Sequence, residues 1–535
     1  MLEVERTWEL DEARDLPAFD TAESGAADSG GDVRMHAGLR AVGVDTVSLV
    51  ATYYDTADLR LARSRVTLRR RTGGKDAGWH LKLPAGADRE ELQRPLGRAA
   101  TVPADLRALI RSRTRGEPVV RVVELRTTRH LVVVTDAVGN AAEVADDRVT
   151  ATRLCGTPDV GGTQDVAAGS ESVVTWREIE VELLPGSDPV VLDAVGQVLS
   201  AAGARPSDWQ SKLGRALATT TGGAPTGVPP VAGGVAAVLA YIADQVAVIT
   251  AEDPRVRLHQ DDAVHAMRVA TRRLRSTLGT FGELWRPAAI DGLAEHLHGL
   301  AAVLGEVRDR EVLTGRFTTT LLALAGDTTD PGGGVGALLG GRSAAEVAGL
   351  LVPGGVDADR QVLRALDSRR HLRLLDRLVA LGGPDALAPA GACADRAALL
   401  ALADPTRRAL ARRLRRAHHA GDSADDQLHR ARRAAKRARY AAEALVPLVG
   451  GPASHFVDAH KALAQVLGDH QDSVVAREVL AASAPGTGPS ANSRGVAFAA
   501  GLLYRDEQLR AAAALAELPA VERAVGRRRL RHWLT

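Results

Sequence analysis

Residues 264–281, VHAMRVATRRLRSTLGTF, recur in altered form at residues 428–445, LHRARRAAKRARYAAEAL. His265, Arg268, Arg272, Arg273 and Arg275 return at identical offsets as His429, Arg432, Lys436, Arg437 and Arg439. Neither copy has Pro or Gly between its first and last basic residue, and Ala, Leu and Arg favour helix. At about 100° per residue, His265, Arg268, Arg272 and Arg275 fall within an arc of about 80°. Each copy therefore predicts a helix with one cationic stripe. Met267, Ala270, Leu274, Leu278 and Phe281 lie opposite and predict the core face; Ala431, Ala434, Ala438, Ala442 and Leu445 do so in the second copy. LGEVRD from Leu304 and LGDHQD from Leu467 repeat too, at nearly the same distance from their histidines. A duplicated helical half follows. Like charges at this spacing repel by roughly a few tenths of a kcal/mol per pair. A helix that accepts this twice needs counter-charge. Either a bound anion supplies it, or the local acids Glu306, Asp309, Asp469 and Asp472 do so as structural ion pairs.

A net charge of only +2 means that any polyanion site must come from segregated charge. Aromatic content of 3% argues against base-stacking platforms for single-stranded nucleic acid. Two isolated cysteines, Cys155 and Cys393, make neither a disulfide framework nor a zinc site and fit a reducing compartment. The start, MLEVERTWEL, has no apolar run of secretory type. No run of about 18 apolar residues predicts a membrane span. The expectation is a cytoplasmic protein.

Ahead of the helical region, residues 1–218 read as mostly strand: 3–8, 66–71, 79–83, 119–126, 130–135, 141–149 and 174–183, with helices near 105–112 and 190–202. Residues 17–31 and 156–172 read as loose loops, and 326–356 and 485–493 as Gly-rich breaks in the helices. Residues 222–234, GGAPTGVPPVAGG, read as the linker. The strand charges share faces, at i, i+2 for Glu3 with Glu5, Arg69 with Arg71, His80 with Lys82, and Glu178, Glu180 and Glu182 together, and by equal parity for Glu143 with Asp147. One such strand describes a wetted sheet face. Five of them predict a barrel with a charged lumen and an apolar outside covered by helices. Paired carboxylates suit a hard divalent cation; Arg and Lys suit phosphate oxygens. Together they fit metal-assisted attack of water on a phosphoryl group.

These motifs resemble a known pair of domains. Glu3-Val-Glu5, Tyr54-Asp-Thr, Leu68-Arg-Arg-Arg71, His80-Leu-Lys82, Arg126–Arg129, Glu143–Asp147, the Glu178–Glu182 run and Ser211-Lys212 resemble a CYTH domain of the triphosphate tunnel metalloenzymes. The two His-x-x-Arg-x-x-x-[Arg/Lys]-Arg-x-Arg copies, with LGEVRD and LGDHQD, resemble a CHAD domain. The resemblance implies an α+β multidomain protein. It implies an eight-stranded antiparallel β tunnel over 1–218, a Gly/Pro linker over 219–234, and an all-α domain over 235–535. The all-α domain is implied to be two duplicated four-helix bundles, near 235–385 and 400–535.

By position, the resemblance implies Glu3, Glu5 and Lys82 as catalytic residues. It implies Arg69, Arg71, Lys82, Arg126, Arg129 and Lys212 as phosphate-binding, and Glu3, Glu5, Asp147, Glu180 and Glu182 as ligands of Mg²⁺ or Mn²⁺. Whether Glu178–Glu180 or Glu180–Glu182 is the matching pair, and whether Arg126 faces inward, stays open here. For the helical domain it implies polyphosphate on His265, Arg268, Arg272, Arg273, Arg275, His429, Arg432, Lys436, Arg437 and Arg439. The family's first strand reads Glu-x-Glu-x-Lys, but Thr7 stands here at the Lys position, and Arg6 has the opposite parity. The implied function is hydrolysis of inorganic triphosphate or short polyphosphate. The alternatives are a non-catalytic polyphosphate-binding or granule-associated protein with an impaired tunnel, and an adenylate cyclase.

Overall fold

The structure is a computed structural model. It describes residues 2–19, 38–86, 88–97, 100–154, 173–209, 211–218, 233–325, 342–352, 354, 356–421, 424–483 and 491–534. Cys155, the 156–172 stretch, most of the linker and the side chain of Glu3 lie outside the described residues. The chain divides into two compact units, Met1–Gly227 and Val228–Thr535.

The first unit holds one antiparallel sheet. Its strands are β1 (Leu2–Glu3), β2 (Glu5–Glu9), β3 (Arg40–Asp55), β4 (Thr67–Thr72), β5 (Gly78–Ala85), β6 (Asp88–Arg94), β7 (Val120–Thr135), β8 (Ala141–Arg153), β9 (Val173–Leu183) and β10 (Arg205–Pro206). Their order is β1-β6-β5-β4-β3-β7-β8-β9-β2-β10. Only Val4 separates β1 from β2, yet β1 pairs with β6 and β2 pairs with β9. The first run of chain thus ties both flanks of the sheet and closes it into a barrel.

Alternation sorts the side chains as the strand charges predict. Ile179 and Val181 point outward and are fully buried under α1 (Val190–Ala201), together with Trp8, Val144, Val191 and Val195. Helix α1 approaches closely because Gly196 has no Cβ; one there would stand 2.8 Å from the Trp8 ring. At another side α2 (Lys212–Ala218) packs Leu213, Ala216 and Leu217 against Val123, Val149 and Trp176. The Arg153 guanidinium donates to the carbonyls of Ala216 and Leu217, capping the C-terminal end of α2. Lys212 stands at the opposite, N-terminal end of this helix.

Two long strands, β3 and β6, went unread in the sequence, as did the two-residue β10. β3 is 16 residues long, and Gly43 and Asp45 interrupt its apolar alternation. β6 reads DREELQR, residue types depleted from strands, because its partners β1 and β5 and the lumen dictate its state. The runs at 119–126 and 130–135 are one strand, β7. Phe19, expected in a loose loop, is 2% exposed in the core.

The second unit is helical. Its helices are α3 (Val235–Arg257), α4 (Ala263–Phe281), α5 (Leu293–Ala325), α6 (Ala344–Leu351), α7 (Val356–Asp367), α8 (Arg369–Ala380), α9 (Arg396–His418), α10 (Ala424–Glu443), α11 (Gly451–Ser483) and α12 (Ala491–Gly526). The duplication shows in helix length: α3, α4 and α5 have 23, 19 and 33 residues, and α9, α10 and α11 have 23, 20 and 33. The core faces named above are buried in both copies, with Ala434 partly so. The largest core joins the copies, with Met267, Leu274 and Phe281 of α4 clustering with Ala438, Ala442 and Leu445. Helix α3 is long and apolar enough to cross a membrane by composition alone, but Val238, Ile242 and Ile249 are buried in this core.

Residues 344–351 correct the expectation of a loose stretch. Ser343 and Glu346 form a capping box, and Val347, Ala348 and Leu351 are fully buried. Glu507 on α12 is 1% exposed and accepts two 2.5 Å hydrogen bonds from Arg316 on α5. Glu507→Ala would strand that guanidinium. We expect a loss of about 3–5 kcal/mol, read from the urea midpoint, with Arg316→Met/Glu507→Met recovering most of it.

Candidate active site and anion-binding face

The barrel encloses a cavity of about 410 Å³. Strand register builds its two walls. On one, Arg69 pairs across strands with His80, and Lys82 with Glu91. Arg69, Arg71, His80, Lys82, Arg89 and Glu91 all line it. On the other, Asp147 faces Arg129 and Glu178, Glu143 faces Glu182, and Glu5 faces Glu182. Glu5, Glu143, Glu180, Glu182, Arg129 and Lys212 line this side. The structure thus brings Glu5, Arg69, Arg71, Lys82, Arg129, Glu180, Glu182 and Lys212 around one space.

Asp147, which is fully buried, is the centre of the acidic wall. Arg129 donates to its two oxygens at 2.7 and 2.6 Å and to Glu180 at 2.6 Å. The Lys212 ammonium lies 3.0, 2.6 and 2.5 Å from Asp147, Glu178 and Glu180. Burial opposes the Lys212 charge, but the three carboxylates outweigh it and raise its pKa. The same cations, Lys212 and then Arg129, overcome burial at Glu180 and push its carboxyl far down. Glu182 moves the other way, raised by burial and then by its neighbours Glu5, Glu143 and Glu180. Oxygen atoms of Asp147, Glu178 and Glu180 lie within 4.8 Å of one another, a donor set that fits a hard divalent cation. Glu178, 3% exposed, has its other oxygen bonded to Trp176 Nε1 at 2.6 Å.

The opposite wall has spare positive charge. Among the described residues no carboxylate lies within ion-pair reach of Arg69; its guanidinium meets only the Tyr53 hydroxyl, at 3.5 Å. Burial, and then Arg69 and Arg129, depress Arg71 to about 10, although Asp76 reaches it from the β4–β5 turn. Lys82 stands 3.9 Å from Glu5 and 3.8 Å from Glu91.

Three sequence expectations change. Arg126 points away from the cavity: it is 67% exposed and pairs with Glu124, because Arg129 three residues on takes the inward parity. Lys212 contacts three carboxylates as well as lining the cavity. Glu91 and Arg89 were missed with their strand, although alternation in DREELQR would have put both on one face. Thr7 stands opposite Glu180, and Arg6 turns outward to Asp193 at 2.5 Å.

In the helical unit the basic stripes are divided. Arg268 pairs with Asp309 at 2.7 Å and its repeat mate Arg432 with Asp472 at 3.1 Å. These are the structural ion pairs that the local acids offered. Each guanidinium lies over a glycine, Gly305 or Gly468, where added Cβ atoms would sit 3.5 and 3.0 Å away. Arg273 and Arg439 share Glu443, each at 3.1 Å. Arg272 donates to Tyr440 Oη at 3.0 Å, and Arg275 meets His298 at 2.7 Å.

What is left over is a cationic field spanning both copies. Arg275 is depressed by burial and then by Arg433, Arg437 and Arg272, so these groups lie together. Lys436 drops to about 7 through burial and then Arg272 and Arg432. His265 and His429 are lowered by burial and nearby arginines, so each carries less charge near neutral pH than an ordinary histidine. A polyanion placed on this face would favour the protonated Lys436. Polyphosphate affinity should therefore fall as pH rises from about 6 to 8, and Lys436→Arg should flatten that slope in a binding titration. Without ligand, Lys436 sits below its ordinary 10.5, so it makes stability rise with pH across the interval from about 7 to 10.5.

Comparison with known proteins agrees with this division. A family model for the CYTH domain matches residues 26–205 and one for the CHAD domain matches 240–481. The first match leaves the strand that carries Glu5 and Thr7 outside it. An uncharacterized protein of Mycobacterium tuberculosis, present in strains CDC 1551 / Oshkosh and H37Rv, is 37% identical over 523 residues, spanning 95% of this chain and 93% of the relative. Among solved structures, PptA from Streptomyces chartreusis is 22% identical, covers 55% of this chain and 100% of its own, and has a TM-score of 0.42. The CHAD domain from the plant Ricinus communis is 26% identical, covers 56% of this chain and 94% of its own, and has a TM-score of 0.40. The chain belongs to the family in which a CYTH domain is followed by a CHAD domain.

Proposed function

We propose that the CYTH barrel hydrolyses inorganic triphosphate or short polyphosphate with Mg²⁺ or Mn²⁺, and that the CHAD domain binds polyphosphate. The observation that carries the enzymatic half is the unpaired Arg69 facing a carboxylate wall across one cavity. Phosphate oxygens satisfy Arg69, which has no carboxylate partner among the described residues, with Arg71 and Lys82 beside it. The acids Glu5, Asp147, Glu180 and Glu182 hold the divalent cation, with Glu178 completing the donor set around Asp147. That cation, when bound, neutralises phosphate charge and acidifies the attacking water. Glu5 lines the cavity and takes the proton of that water. The new bond forms at the terminal phosphorus, the bridging P–O bond breaks, and pyrophosphate leaves on the arginine wall.

The same reading takes Leu2–Glu9 as one interrupted strand of an eight-stranded tunnel and the helical domain as two duplicated four-helix bundles. It takes 1–218, 219–234 and 235–535 as the working boundaries, and a cytoplasmic setting in which the exposed Cys393 thiol stays reduced.

A second reading rests on Thr7. Where the family has a lumen cation, Thr7 faces Glu180, and Arg129 and Lys212 hold that carboxylate instead. On this reading the barrel only binds, and the protein associates with polyphosphate or its granules. A malachite-green assay with triphosphate, ATP and long polyphosphate separates the two. Phosphate release from triphosphate above that of Glu5→Ala supports the enzyme; release no greater than that variant's supports the binding protein. An adenylate cyclase would form cyclic AMP from ATP in the same tubes. It has little support, since Tyr53 and His80 are the cavity's aromatic rings among the described lining residues.

A further inference from the structure

Every oxygen of the Asp147–Glu178–Glu180 triad has a donor. Asp147 Oδ1 and Oδ2 accept from the Arg129 fork at 2.7 and 2.6 Å, and Glu180 Oε2 accepts from the same guanidinium at 2.6 Å. Glu178 Oε2 accepts from Trp176 Nε1 at 2.6 Å. The Lys212 ammonium takes one oxygen from each acid: Asp147 Oδ2 at 3.0 Å, Glu178 Oε1 at 2.6 Å and Glu180 Oε1 at 2.5 Å. Among the described residues these three acids bring oxygens within 4.8 Å of one another, as the ligands of one ion would. Lys212 Nζ therefore stands where a cation shared by all three would stand. Oxygen ligands lie about 2.0–2.1 Å from Mg²⁺. An ion so close to the same oxygens would overlap the ammonium and repel it, so the triad holds one or the other.

The residue types decide which cation can leave. Arg129 grips Asp147 with two parallel bonds from within β7, and such a fork holds both position and orientation. Lys212 carries a compact charge on a flexible four-carbon stem, at the first position of α2. Lysine is scarce in this chain. Lys75, Lys82, Lys212, Lys436 and Lys461 are the lysines among 68 Lys and Arg residues. An arginine at position 212 would set a second fork on the triad; the lysine sets a point charge there that one stem rotation withdraws. Lys212 also lines the cavity of about 410 Å³, so its ammonium has polar space to turn into.

We propose that Lys212 is an exchangeable counter-ion: its ammonium and a divalent cation are alternative occupants of the Asp147–Glu178–Glu180 triad, and the metal enters by turning the lysine into the cavity. This rests on the triphosphate-site reading above. The test titrates Mg²⁺ into the full chain, treated with chelator and carrying isotope-labelled lysine. So few lysines give separable NMR signals, and Lys212→Arg identifies the Lys212 signal by its loss. That signal should shift along the same isotherm as Mg²⁺ binding read by calorimetry, with Lys461, on α11 of the helical unit, as the unmoved reference. This readout holds even if charge-removing variants fail to fold. Lys212→Met should bind Mg²⁺ at least about tenfold more tightly than the parent, since no ammonium has to leave. Arg71→Met removes the same charge from the opposite wall and should gain less. A Lys212 signal that stays put while Mg²⁺ binds, or a Lys212→Met gain no larger than that of Arg71→Met, overturns the exchange. Lys212 is then a permanent ion pair, and the triphosphate site stands with its metal on other acids. No Mg²⁺ binding to the parent or to Lys212→Met, with or without triphosphate, overturns the metal-site reading and this proposal with it.

Discussion

Changing Arg272, Arg275, Lys436 and Arg437 together to Ala should remove most polyphosphate binding by the helical domain. The choice follows from pairing. Arg268, Arg432, Arg273 and Arg439 already have carboxylates on Asp309, Asp472 and Glu443, so a polyanion gains less from them. Burial and then Arg272 and Arg432 depress Lys436 to about 7, while burial and then Arg433, Arg437 and Arg272 depress Arg275, so the four chosen cations lie in one positive field. Each cation that meets a phosphate releases counterions, so removing four should cut the log–log salt slope by about three. At roughly 1 kcal/mol per contact, affinity should drop on the order of 10²–10³-fold. Arg430→Ala is the control, because Arg430 pairs with Asp426 on the same helix. Fluorescence anisotropy with labelled polyphosphate at several salt concentrations reads both numbers. Unchanged affinity in the quadruple variant would make the stripes structural.

Arg69→Ala should lower phosphate release from triphosphate by about 10²–10³-fold, the usual cost of one preorganised donor at a site of developing charge. The fall should be larger in kcat than in KM, because Arg71, Lys82 and Arg129 still hold ground-state charge. Folding should survive. The Arg69 guanidinium meets only Tyr53, at 3.5 Å, so no buried carboxylate loses its partner. The same substitution at Arg129 would be a poorer test, since it would leave Asp147, fully buried, without a bidentate partner.

Much of this arrangement was legible in the chain itself. Charges of shared parity made the lumen readable on β2, β4, β5, β8 and β9. The duplicated basic offsets made α4 and α10 readable together with their core faces. β6 was not legible: DREELQR satisfies no local strand preference, and only pairing with β1 and β5 makes it a strand. Arg89 and Glu91 were lost with it. The division of the basic stripes into paired and unpaired cations also needed tertiary structure. It depends on which acids of α5 and α11 lie opposite each arginine, and Glu443 serves one arginine from each copy. Lys212 shows the limit of matching by motif. Arg153 from β8 holds the far, C-terminal end of its helix, and Lys212 at the start reaches three carboxylates.

We propose that one barrel cavity sets Arg69, with Arg71 and Lys82 beside it, against carboxylates in order to cleave a phosphoanhydride. A phosphorus NMR time course of triphosphate with the full chain and Mg²⁺ or Mn²⁺ reads this directly, because substrate, pyrophosphate and orthophosphate give separate signals. The expected result is equal initial growth of pyrophosphate and orthophosphate, nearly absent with Arg69→Ala. Triphosphate signals that stay constant at high protein concentration, or that decline equally with Arg69→Ala, would contradict it.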